Sequence, residues 1–293
     1  MNAMPSWNIH TAHVEGLLAH DDLATLGIRD ANAFLFGNFV PDVYVGYMVR
    51  SCSHKIRYRI THLAEPDFIP TPHFDLFAAL YVDGLDASDV TLGTWAHLVA
   101  DHIYNLHTSR YIQSIGVPAG EQTRIRKQGD FDLFGRTLRI SLKPQVTEGL
   151  LAQAAAFPQY GLDAADVRAA AEAACDIVDA NAERQVDGTP EYSLLTADFF
   201  AETSAEVSRV IRAGLASHAA CGSTAPGVAE VMPGYLTMSP EGALEGIARV
   251  ERMGAESERR MRARGRKPPF DDEVVPVHMA IPNTPKWQGS THA

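Results

Sequence analysis

Apolar residues recur at helical spacing along most of the chain, and no alternating run is long enough to make a sheet. In Ile9–His20, Ile9, Val14, Leu17 and Leu18 can share one helix face. Arg29–Phe36 is a second apolar run, ending in Gly37-Asn38-Phe39-Val40-Pro41-Asp42. Gly37 permits a backbone break there, and Pro41 stops any helix before it, leaving Asp42 at a turn. The plain alternative for Asp42 is a helix N-cap. Residues 48–70 read as irregular. The most buried pattern is Gly93–His107, GTWAHLVADHIYNLH, in a helix opened by Asp86-Ala87-Ser88-Asp89. A similar start, Asp163-Ala164-Ala165-Asp166, opens a later helix, and in both an Asp can cap the first N–H groups.

Beyond the loop 115–120, Glu121–Leu142 fits a helix with an irregularity at Gly129 and apolar positions at Ile125, Phe131, Phe134, Leu138 and Ile140. Alanine-rich helices follow at Ala152–Phe157 and Val167–Ala182, then one over Ala197–Ala220 capped by Thr196. Ser239-Pro240 starts a last helix that runs to about Arg264, and residues 268–293 read as an irregular tail. The expected architecture is all-α, a multi-helix bundle in one domain over 1–293, with a site built from about 1–110 and covered by later helices.

Within the buried run, His97 and Asp101 are four residues apart, which on a helix places them about 40° apart on one face. They can share a divalent cation or form a structural hydrogen bond, and the local pattern leaves both readings open. Nine of the twelve histidines lie in the first 107 residues, which points to a site assembled from the N-terminal part. The net charge of −11 argues against a general nucleic-acid coat or an anionic-membrane binder, so no stable nucleic-acid complex is expected. Cys52, Cys175 and Cys221 are odd in number and lack a CxxC pair, so they read as buried small apolar groups rather than disulfides or zinc thiolates. The N-terminus has neither a basic region nor an apolar core of signal type, and no membrane span is apparent; a cytoplasmic protein is expected. The pattern does not address oligomeric state.

Four pieces in order carry a resemblance: Met4-Pro5-Ser6-Trp7 with His10, then Phe36–Asp42, then Thr61-His62, then Gly93 with His97-x₃-Asp101. Together they resemble the zinc-dependent phospholipase C family, whose helical fold is similar to that of single-strand-specific fungal zinc nucleases. The resemblance implies a bundle of that type. It also implies that Asp42, His62, His97 and Asp101 surround one metal, with Asp101 bridging to a second held by His10 and the backbone near Trp7. His107 matches a ligand to a further metal in the secreted lipases. The implied cofactor is Zn²⁺, one or two ions, with Mn²⁺ or Fe²⁺ as alternatives. The implied activity is phosphoester hydrolysis of a small-molecule or lipid substrate, with Asp42 also taking the proton of the attacking water. Arg57, Arg59 or Arg124 is expected to neutralise phosphate. Two departures stand out. Trp7 follows six residues and so has no free amino group, and no histidine occurs between His107 and His218 to supply the family's H-x₃-E pair. A phosphohydrolase with an adjacent His-Asp pair is disfavoured because the order here is Asp101-His102. The remaining alternative is a helical metal-binding or scaffold protein without turnover.

Overall fold

A computed structural model describes residues 6–64, 68–234 and 240–266. All regular structure among them is helical. In chain order the helices are α1 (Trp7–His20), α2 (Ala31–Gly37), α3 (Val40–Val43), α4 (Tyr58–Thr61), α5 (Phe74–Tyr81), α6 (Asp89–Ser114), α7 (Glu121–Thr137), α8 (Glu148–Ala155), α9 (Ala164–Glu183), α10 (Ala197–Cys221), α11 (Ala225–Val231) and α12 (Pro240–Ala263). None of them is long and apolar enough to cross a membrane. The expected C-terminal tail and the Ser239 cap lie outside the described residues.

Helix α6 is the axis of the molecule. Every residue from Asp89 to Asn105 is buried, as expected for a helix surrounded on all sides. α2, α3, α5, α8 and α10 pack around it, and α1 joins α2, α7, α9 and α10. The closest approach is between α2 and α6. A Cβ built on Gly93 would meet the Phe34 carbonyl oxygen well inside contact distance and the Gly37 Cα at 2.9 Å. Gly37 therefore does not break the chain as its sequence context predicts. It is the last residue of α2, and its missing side chain lets the two backbones touch.

Several local expectations change in the fold. Pro41 does not end a helix but sits in the first turn of α3, where its missing N–H costs nothing. The predicted Asp caps are not used: Ser88 caps α6 by accepting from Thr91 N, and Asp163 makes no side-chain cap bond at α9. Asp89 instead accepts from the backbone N–H groups of Arg29 and Asp30, tying the α2 entry to the α6 entry. Residues 48–70 contain the short α4, and α8 starts at Glu148, before the Ala152 start expected. α7 continues through Gly129, and its Ile125 is exposed. The cysteines are not core groups either. Cys221 is exposed and the other two are only partly covered, because they sit on loops and outer helix faces.

The Arg126–Phe131 stretch of α7 proves to be a brace. The buried Asp130 carboxylate accepts from the backbone N–H groups of Ser193, Leu194 and Leu195 at 2.7, 2.7 and 2.8 Å. Those three bonds fix the turn into α10, where Thr196 caps the helix through Phe199 N as its sequence predicts.

Candidate metal centre

His97 and Asp101 face one side of α6, and three other elements close on them. α1 brings His10, whose Nε2 lies 3.3 Å from Asp101 Oδ1 and whose ring stacks on His97 at 4.0 Å. α3 brings Asp42. The residue after α4 is His62, and the next, Leu63, has φ 50°. A leucine in the left-handed region costs about 1 kcal/mol or more, so the turn presenting His62 is held by its surroundings. His10, His62, His97 and Asp101 are fully buried, and Asp42 is 7% exposed.

The tautomers follow from the hydrogen bonds. His97 Nδ1 lies 2.7 Å from the Asn38 carbonyl oxygen, so it carries the proton and donates. Thr61 Oγ1 donates to the Tyr58 carbonyl and therefore accepts from His62 Nδ1 at 2.8 Å. With both rings neutral, bare Nε2 lone pairs would face each other at 3.1 Å. That is repulsive unless a positive charge lies between them. Asp101 Oδ2 is 3.6 Å from each Nε2, and Asp42 Oδ1 is 3.7 Å from His62 Nε2. These are too long for good hydrogen bonds. They are close to the spacing of about 3.3 Å between tetrahedral ligand atoms that each lie about 2.0–2.1 Å from a zinc ion. A proton can satisfy only the Nε2 pair, whereas a divalent cation could draw in the carboxylate oxygens beside it as well. With two carboxylates and two neutral imidazoles around a dication, the net charge is zero, which is what a dry site tolerates. The residues fit a metal.

In the metal-free chain a proton on His97 takes the place of the ion's charge. Burial opposes charge on His97, yet the neighbouring Asp101 carboxylate, with Asp42, holds its pKa above the usual histidine value. Burial would raise Asp101, but the charge of His97 and the contact with His10 draw its carboxyl below the usual range. His62 is driven well down by burial and by the charge on His97. Asp42 is raised to about 6, chiefly by burial; Asp101 adds to this, and His97 and the Trp7 N–H oppose it.

His107 is not part of this group. Six residues beyond Asp101, it points about 120° around α6. Its Nδ1 is 3.2 Å from Thr203 Oγ1 and its Nε2 is 3.5 Å from Glu206, beside a surface pocket that Arg110 also lines. The arginines expected to meet phosphate are engaged elsewhere. Arg57 and Arg59 both pair with Glu258 of α12, at 3.0 and 3.2 Å, and Arg124 pairs with Glu121 on α7. The buried cation near the centre is Lys127, which the sequence reading passed over. It is 4% exposed, and its Nζ lies 5.7 Å from the Phe131 ring centroid. Burial lowers its pKa to about 8, with Asp101 opposing, so it stays largely protonated at neutral pH. Tyr58, stacked on His62 at 3.8 Å, is a second group the sequence did not signal.

Besides the sets His10/His97/Asp101 and Asp42/His62/His97, a third set, His54, Asp163 and Asp166, also brings ligand atoms together. Asp166 there accepts from Ser53 N and Ser53 Oγ at 2.8 and 2.5 Å. Both acids lie at the start of α9, where the helix dipole favours anions and disfavours a cation. These contacts tie the Ser53 loop to the start of α9. His102 donates to the Pro72 carbonyl at 2.7 Å and packs edge-on to Phe74, and Trp95 and Tyr104 are core, as their sequence setting predicts.

His13 lies one turn beyond His10 and is buried between Ser208 Oγ at 3.0 Å and Tyr104 Oη at 3.2 Å. Burial, with the charge of His10, lowers its pKa to about 3. The unfolded chain, with a histidine pKa near 6.5, therefore binds the proton more readily than the folded one. The resulting stability is complete above pH ~6.5 and is lost as pH falls toward 3. Urea denaturation in EDTA at pH 7 and pH 5 should show a loss of about 2 kcal/mol from this group, a loss that His13→Gln removes. An unchanged pH slope in the variant would refute the assignment.

No protein-family model matches the chain, and comparison with curated proteins and with solved structures found no match.

Proposed function

We propose that this protein is a metal-dependent phosphoester hydrolase, similar to the zinc-dependent phospholipases C, with its ion held by Asp42, His62, His97 and Asp101. The observation that carries the reading is the 3.1 Å approach of two buried imidazole Nε2 atoms with carboxylate oxygens of Asp101 and Asp42 3.6–3.7 Å from them. Mixed N and O donors suit Zn²⁺, and Mn²⁺ or Fe²⁺ would also be accepted. When bound, such an ion would lower the pKa of a water taken as a fifth ligand toward ~7 and polarise a phosphoryl oxygen. Asp42 serves as proton acceptor, since of the four it alone keeps some exposure. Lys127 supplies compensating charge for the substrate, in place of the arginines held by Glu258.

The test is hydrolysis of bis-(p-nitrophenyl) phosphate, p-nitrophenyl phosphate and phosphatidylcholine vesicles by zinc-loaded and EDTA-treated protein. Zinc-dependent release is expected, abolished in His62→Ala. A zinc-loaded protein that cleaves none of the three would instead support the non-catalytic metal-binding reading. Full burial of His10, His62, His97 and Asp101 is the observation in favour of that second reading.

A further inference from the structure

Each of the two carboxylates at the centre turns one oxygen toward the paired imidazoles and the other toward α1. Asp42 Oδ1 faces His62 Nε2, while Asp42 Oδ2 accepts from the Trp7 indole N–H at 2.9 Å. Asp101 Oδ2 faces His62 and His97, while Asp101 Oδ1 faces His10 Nε2 at 3.3 Å. Trp7 and His10 are three residues apart in the first turn of α1, hence on one face. Trp7 is fixed by burial and by its contact with Phe39, with ring centroids 4.7 Å apart.

We infer that the centre holds a single ion and that α1 is its outer bracket, with Trp7 and His10 as positioning residues rather than ligands. This rests on the metal-centre reading above and refines it. A second ion on His10 and Asp101 would need further donors, and the obvious ones are committed. His97 has one bare nitrogen, Nε2, and it belongs to the four-atom ring; its Nδ1 is bound to the Asn38 carbonyl. The Trp7 carbonyl accepts from Thr11 Oγ1 at 2.7 Å, besides serving the α1 ladder. The Trp7 backbone nitrogen is an amide, whose lone pair is delocalised into the peptide bond. His10, His97 and Asp101 do bring ligand atoms within 4.8 Å of one another, but His97 Nε2 can serve only one ion, and the two side chains then left do not make a second zinc site. What remains is an outer-shell arrangement in which the second oxygen of Asp42 accepts from the Trp7 N–H and that of Asp101 faces His10 at ion-pair distance. The aromatic residue near the N-terminus thus acts through its indole N–H and not its backbone.

The experiment measures zinc content and affinity of the purified full chain by elemental analysis and chelator competition, with Trp7→Phe, His10→Gln and His62→Ala beside the wild type. One zinc per chain is expected in the wild type, and none in His62→Ala. His10→Gln, which keeps an N–H donor toward Asp101, should retain one zinc with affinity within about tenfold of wild type. Trp7→Phe keeps the ring but loses the donor, and should retain one zinc with affinity about 10–100-fold lower, the usual effect of removing an outer-shell partner. Two zinc ions in the wild type, with one lost in His10→Gln, would overturn the single-ion inference and leave the metal centre standing. Unchanged affinity in a folded Trp7→Phe would overturn the bracket. A wild type that binds no zinc would overturn both this inference and the reading beneath it. Should Trp7→Phe not fold, the stoichiometry of His10→Gln decides.

Discussion

His97→Ala is expected to lower zinc affinity by about 100-fold or more and to destabilise the metal-free protein. An apparent site energy of about 12 kcal/mol shared among four ligands gives about 3 kcal/mol for each, or roughly 100-fold. The substitution also removes the Nδ1 bond to the Asn38 carbonyl, which leaves that buried acceptor unpaired. In the metal-free chain His97 is the main opposite charge for the buried Asp101, and removing one partner of such a pair costs about 3–5 kcal/mol. The wild type should bind zinc more tightly as pH rises, because the ion displaces the proton that His97 otherwise holds. Chelator competition at pH 6 and pH 8, with urea denaturation in EDTA, measures all three effects. A His97→Ala protein with wild-type zinc affinity would remove His97 from the centre.

Gly93→Ala should produce a large loss of stability, about 3 kcal/mol or more. The new Cβ would meet backbone, not flexible side chains: the Phe34 carbonyl, the Gly37 Cα at 2.9 Å and the Asn38 N at 3.1 Å. Relief requires α2 to move off α6, and α2 leads into Asn38, whose carbonyl orients His97. The variant should therefore lose zinc affinity as well as stability. Gly37→Ala presses on the same contact from the other side, so the double substitution should cost less than the sum of the singles. Gly129→Ala is the control. It lies exposed in the middle of α7 with open space at its Cβ, and should stabilise by about 0.5–1 kcal/mol. Urea midpoints for the four variants test the argument. A Gly93→Ala protein as stable as wild type would show that the two helices do not approach this closely.

The chain's own pattern determined what is local. Helical spacing, with Thr196 as a cap, gave an all-helical protein, and the His97/Asp101 pair on a buried face marked the centre. Such features need only neighbours within one or two turns, so periodicity carries them. Even there, a cap was misassigned at α6, because Asp89 is drawn away by the N–H groups of Arg29 and Asp30, which the local sequence does not reveal.

The tertiary structure alone decided which side chains meet. It joined His10, Asp42 and His62 to the α6 pair, turned His107 to another face, and sealed Arg57 and Arg59 against Glu258, about two hundred residues further along the chain. It also set the Trp7 indole on Asp42, buried Lys127, and gave Gly37 and Gly93 a shared purpose in letting two backbones touch. None of these has a period or a neighbour in sequence. Each depends on the distance and direction between separate helices, and packing fixes those only once the whole core has closed.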